Sequence, residues 1–189
     1  MALPAEKRYT YADLLAWGEG ERYELYDGEV VALASPSIFH QSISIEISTQ
    51  LRSFLRGKTC RVFSAPLDVR LFETPGDRPE YTDTVLQPDI LVVCDPGKLD
   101  RHGVAGAPDL VVEILSPATK FYDKRLKFHL YERAGVREYW VVDPDTRSVA
   151  VHVLTDGRFD SPDIYTVASK VPVSVLEGCE IDLSLVFEE

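Results

Sequence analysis

Two carboxylates stand where apolar strands should exclude them. Residues 90–94 and 110–115 are short, β-branched runs bounded by turn residues, the pattern of buried strands. Asp89 opens the first run and Glu113 lies inside the second. An ionised carboxylate taken out of water needs a partner, a proton or a metal. The two acids are 24 residues apart, a spacing that fits a strand, a loop and a neighbouring strand, so their side chains can converge at one end of a sheet. At about 4 Å they would repel by about 4 kcal/mol at an effective dielectric near 20. A divalent cation relieves that cost, and an all-oxygen ligand set favours Mg²⁺, with Mn²⁺ as substitute, over zinc. Such a cation polarises a phosphoryl oxygen and lowers the pKa of a bound water, which suits phosphodiester hydrolysis.

A lysine completes the set. Residues 121–134 read as a helix closed by Gly135 at the C′ position. At about 100° per residue, Leu126, Leu130, Tyr131 and Ala134 share one arc, with Asp123 and Lys127 in its middle. Arg125, His129, Glu132 and Arg133 take the solvated side, although Phe121 and Phe128 break the pattern. On an open surface Asp123 and Lys127 would be an i,i+4 ion pair contributing a few tenths of a kcal/mol. Within an apolar stripe, one element after a buried glutamate, Lys127 is instead a candidate to orient an attacking water or to stabilise charge building on a phosphate. His40 lies on the stripe of another helix, residues 40–55, with Ile43, Ile47, Leu51, Phe54 and Leu55, either as a packed hydrogen-bonded residue or as site lining. Glu24 and Glu29 read first as solvent-facing sheet residues, with Glu24 kept as possible site lining because its neighbours alternate unevenly.

The elements that must position these groups follow in order. Thr10 and Asp13 mark a helix start, with Tyr11–Trp17 closed by Gly18 or Gly20. Asp27-Gly28 between two β-prone runs, 22–26 and 29–33, predicts a type I′ hairpin. Strands are expected at 60–65 and 67–72, separated at Pro66, and a polar loop over 73–81 is a candidate tip near a ligand or partner. Residues 137–143 and 148–154 predict an antiparallel pair around Pro144-Asp145, followed by short β segments such as 163–167. The sum is an α/β protein, a mixed β-sheet core flanked by helices with extra antiparallel strands at both ends, read as one domain over residues 1–189.

Composition narrows the classes. The chain has 189 residues, 45% of them hydrophobic, enough for a full core. With 31 acidic and 20 basic side chains the net charge is −11, which argues against coating nucleic acid nonspecifically but leaves room for a local basic groove. Cys60, Cys94 and Cys179 form no CxxC or Cys/His cluster, so free buried thiols in a reducing cytoplasm are the expectation. No apolar run has the length of a membrane span. Trp140 and the β-rich tail suggest a homodimer interface.

Pro88-Asp89, followed by Glu113 in LVVEILSP, resembles the PD-(D/E)xK nuclease superfamily, and the wider run resembles its Uma branch of bacterial restriction endonucleases. The matching pieces are YELYDGEVV at 23–31, the His40-Gln41 helix start, QPDILVV at 87–93, APDLVVEILSP at 107–117, Asp123 with Lys127, and YERAGVREYWVVDP at 131–144. The resemblance implies a restriction-endonuclease-like fold and a DNA substrate. It also implies Mg²⁺ held by Asp89, Glu113 and the main-chain carbonyl of Ile114. The superfamily motif puts lysine two places after the glutamate, where this chain has Leu115. The branch carries it on the following helix, where Lys127 matches and Lys120 and Lys124 are rivals. Two readings stand: a Mg²⁺-dependent endodeoxyribonuclease, or a catalytically inactive protein of nuclease fold that binds DNA or a protein partner, with Glu113 only an ion-pair partner of Lys127.

Overall fold

Strand patterning sets the architecture. The computed structural model describes residues 7–18, 22–74, 77–78, 81–116 and 122–188, with backbone alone at 122–124. The central sheet runs in the order β12 (Arg158–Phe159), β11 (Ser148–Thr155), β10 (Glu138–Asp143), β9 (Leu110–Ile114), β6 (Ile90–Val93), β3 (Arg61–Ser64), and β13 (Asp163–Thr166) also pairs with β11. Only the β9–β10 pair in this sheet is parallel, and the helical segment between them is the crossover that parallel pairing requires. Both faces are covered, so the strands read as unbroken apolar runs rather than alternating ones.

The two faces bury different residues of the same strands. Ile90, Val92, Leu110, Val112, Trp140 and Val142 pack on one side with Ile43, Ile47, Leu51 and Leu55 of α2 (Ile38–Leu55). The C-terminal segment completes that side through Val171, Leu176, Ile181 and Phe187, drawn from around the β14 (Lys170–Pro172) and β15 (Glu180–Asp182) pair and α4 (Leu183–Val186). Leu91, Val93, Val111, Leu115, Tyr139 and Val141 face the other way. They meet Leu130 and Tyr131 of α3 (Phe128–Ala134) and part of a second sheet. That sheet is ordered β2 (Glu29–Ala32), β1 (Tyr23–Tyr26), β5 (Val85–Leu86), β4 (Val69–Arg70), β8 (Gly103–Ala105), β7 (Leu99–Asp100).

Local signals hold where their chemistry is specific. Thr10 and Asp13 form a capping box on α1 (Tyr11–Trp17), which ends at Gly18. Asp27 and Gly28 both adopt positive φ, 47° and 85°, as the type I′ hairpin requires. Gly135, with φ 85° and ψ 29°, closes α3. The helix leading into α3 differs from the expected form: Tyr122–Lys127 is π-helical. Phe121, the expected helix start, and Lys120 lie outside the described residues, as do the side chains of Asp123 and Lys124.

Three expectations are corrected. Cys60 and Cys94 are disulfide-bonded, leaving Cys179 as the free thiol. The register that pairs Arg61 with Val93 puts the two cysteines opposite each other on adjacent strands, a proximity that sequence spacing does not reveal. The thiol argument for a reducing compartment therefore lapses. Trp140 is fully buried, its indole N–H donating to Glu138 at 2.7 Å, and so cannot serve a dimer interface. Glu24 is 1% exposed rather than solvent-facing, whereas Glu29 is exposed as expected. Among the described residues, no helix is long and apolar enough to cross a membrane.

Candidate active site

Antiparallel register brings the two acids together. β6 and β9 pair with Ile90 opposite Val112, so the next position outward sets Asp89 across from Glu113. Residues directly opposite in an antiparallel pair share a face. Asp89 and Glu113 line a single cavity of about 820 Å³, together with His40, Ile114 and Lys127. Asp89 Oδ2 accepts the Ile114 N–H at 2.8 Å and lies 3.2 Å from His40 Nε2. The histidine reaches it because Ser37 caps α2 and accepts the His40 N–H at 3.2 Å, setting the imidazole at the helix entrance.

Lys127 sits on the other side of the acid pair. Its Nζ donates to Glu113 Oε1 at 3.0 Å and lies 3.1 Å from Glu24 Oε1, with the lysine only 3% exposed. Burial opposes charge on this amine, but the Glu113 and Glu24 carboxylates more than offset it and hold its pKa well above the ordinary lysine value. The amine is therefore a fixed cation. It cannot act as a general base near neutral pH.

Three groups that the sequence reading did not place in the site hold this arrangement. The Tyr131 hydroxyl donates to Glu113 Oε1 at 2.6 Å. Tyr26 donates its hydroxyl to Glu24 Oε2, and the Gln87 N–H donates to Glu24 Oε1 at 2.8 Å. Burial, and then the neighbouring Glu113 carboxylate, push the Tyr131 phenol far up, so it stays a donor. Burial raises Tyr26 as well; Lys127 pulls it down, and Glu24 helps keep it above the ordinary value. Tyr131 was legible in part: it falls one helical turn after Lys127 on the same stripe, and Tyr26 falls two residues after Glu24 on the same strand face.

The donor set suits a hard cation. Among the described residues no group of three or more His, Cys, Asp or Glu side chains stands at metal-binding separation. Magnesium does not require one, since it keeps several waters and takes one or two carboxylates. The N–H and C=O of an extended residue leave the same edge of a strand. Because the Ile114 N–H reaches Asp89, its carbonyl lies on the Asp89 edge too. Asp89, Glu113 and that carbonyl are the donors that could hold such an ion. Of the remaining residues expected in the site, His40 and Glu24 meet it through Asp89 and Lys127, and the Asp123 side chain lies outside the described residues.

The architecture is a mixed, helix-flanked sheet with a carboxylate pair and a buried lysine at one end. The chain belongs to the Uma2 family, described as "Putative restriction endonuclease", which matches residues 10–184. Its structure is similar to that of a "putative nuclease belonging to DUF820" from Anabaena variabilis ATCC 29413, with a TM-score of 0.72 at 22% identity, covering 94% of this chain and 97% of that one. Two uncharacterized proteins of Synechocystis sp. (strain ATCC 27184 / PCC 6803 / Kazusa) are related in sequence. The first, slr1290, is 35% identical over 121 residues, 63% of this chain. The second, sll1609, is 25% identical over 148 residues, 76% of this chain. The matches span 60% and 79% of those two proteins' own lengths.

Proposed function

We propose that this protein is a Mg²⁺-dependent endodeoxyribonuclease, with Mn²⁺ able to substitute. The observation that carries the reading is the buried Lys127 ammonium 3.0 Å from Glu113, in the cavity that Asp89 also lines. Family membership supports the same reaction class. Asp89, Glu113 and the Ile114 carbonyl would hold the cation, which when bound supplies charge neutralisation at a phosphoryl oxygen and a more acidic water. Lys127, cationic throughout the neutral range, stabilises charge on the phosphate as the nucleophile adds. His40 fixes the Asp89 carboxylate from the helix side. Glu24 and Tyr131 hold Lys127 and Glu113 in place before substrate arrives.

A second reading has one observation in its favour: the Lys127–Glu113 contact is itself a complete buried ion pair, as a catalytically inactive nuclease-fold protein that binds DNA or a protein partner would have. Nicking of supercoiled DNA by purified protein with Mg²⁺ or Mn²⁺ separates the two. Asp89→Ala and Lys127→Ala should abolish the nicking of the wild type. Equal nicking by the variants would assign it to a contaminant, and an intact fold that takes up no Mn²⁺ in calorimetry would favour the inactive reading.

A further inference from the structure

The cavity runs beyond the acid pair, and its remaining charges invert the balance of the chain. Apart from Asp89, Glu113 and Lys127, its charged lining among the described residues is Arg22, Arg52 and Arg56 against a single carboxylate, Asp145. The whole chain carries 31 acidic and 20 basic side chains, so a three-to-one excess of cations here is local. Two of the arginines lie at the far end of α2, the helix whose start places His40 beside Asp89. Arg52 and Arg56 are exposed, and among the described residues neither is paired with a carboxylate. Cations do favour a helix C-terminus. That preference does not account for Arg22, which enters from the start of β1 in the other sheet and is steadied by Gln87 at 2.9 Å. Between His40 and the arginines the helix shows the cavity Ser44, Ser48 and Thr49, short hydroxyl side chains of the kind that contact phosphate oxygens.

We propose that this face of α2, with Arg22, is a phosphate track that holds the DNA backbone leading away from the cleaved bond. The proposal rests on the nuclease reading above and adds where and how the substrate is gripped. At about 1.5 Å rise per residue, Arg52 and Arg56 stand about 18 and 24 Å along the helix from His40. At those distances the arginines are beyond reach of the phosphate at the reacting bond and meet others further along the duplex backbone. They are positioning residues for long substrates and have no part in the chemical step. The track supplies affinity without base readout, so binding through it is indifferent to sequence.

The test uses the full chain and a fluorescein-labelled duplex 20-mer, with anisotropy read across a salt series in EDTA. Each phosphate contact contributes about 0.9 to the slope of log affinity against log salt on B-DNA. Arg52→Ala/Arg56→Ala should therefore lower the magnitude of that slope by about 1.8, while Lys170→Ala, an exposed lysine on β14, leaves it unchanged. With Mg²⁺, the double variant should raise KM for the 20-mer by about tenfold or more and hold kcat near the wild-type value. Hydrolysis of bis(p-nitrophenyl) phosphate, too short to reach the track, should not change. A slope unaltered in the folded double variant, an equal fall in Lys170→Ala, or a wild type that does not bind the duplex overturns the track. A wild type that binds with the predicted slope change but cleaves neither substrate overturns the nuclease reading and leaves the track standing.

Discussion

Lys127 is held by Glu113 and Glu24, both nearly fully buried, and each of those acids is also bound by a tyrosine hydroxyl. Removing one partner from a buried charge cluster strands the others. Lys127→Met should therefore cost about 3–5 kcal/mol, read as a lower urea midpoint. Asp89→Asn changes a group that is partly exposed, with 21% of its side chain accessible; it should unfold near the wild-type midpoint and lose activity by at least about 100-fold. The contrast between the two variants separates a structural loss from a chemical one. The lysine also sets a pH signature. Its folded pKa lies above the unfolded value of about 10.4, so its stabilisation is complete below that pH and disappears as pH rises through the folded value. The urea midpoint should thus show no Lys127-dependent change between about pH 6 and 9 and should fall in stronger base. A midpoint difference between wild type and Lys127→Met that varies across the neutral range would contradict this assignment. At this scale Asp89, Glu113 and Lys127 were legible because charge in an apolar pattern is conspicuous. Tyr131 shares a stripe with Lys127 and Tyr26 a strand face with Glu24, but their roles were not legible, because a tyrosine on a core stripe looks the same whether its hydroxyl is idle or bonded to an acid.

Elements show a similar division. The hairpin at Asp27-Gly28, the capping box at Thr10 and the Gly135 stop were legible because each needs a particular residue for a particular backbone state. The π-helical turn at Tyr122–Lys127 carries no such residue signal, and it sits where Lys127 enters the site, in keeping with the placing of π-turns at functional positions. The solvent-facing reading of Glu24 failed because alternation assigns one face of β1 to solvent, whereas here that strand packs beside the lysine helix; its alternative reading as site lining rested on the uneven alternation of its neighbours. The Cys60–Cys94 bond was missed because it depends on which strands are neighbours. It closes a 34-residue separation, and reduction should lower stability by about 2–4 kcal/mol. Urea titrations with and without dithiothreitol measure this, with Cys60→Ser/Cys94→Ser as the variant that should no longer respond to the reductant.

On the scale of the molecule, one sheet is shared by two apolar layers, and the C-terminal segment closes the layer that backs α2. Phe187, 2% exposed near the chain end, is therefore a core residue; Phe187→Ala should cost about 3–5 kcal/mol in urea unfolding. A variant as stable as the wild type would show that this segment merely lies on the surface. The α/β class and the mixed sheet were legible from the run of strands and helices. The division into separate sheets was not, since pairing partners such as β1 with β5 are fixed by contacts between segments far apart in the chain. The disulfide and Asp89 occupy opposite ends of the same two-strand ladder, where Ala65 N–H meets the Asp89 carbonyl at 3.0 Å. Because side chains alternate with a period of two, sliding β6 by one step against both its neighbours, β3 and β9, would turn Asp89 away from Glu113. The sulfur link acts as a zip stop against that slide, tying the aim of a carboxylate to a covalent bond the length of a strand away.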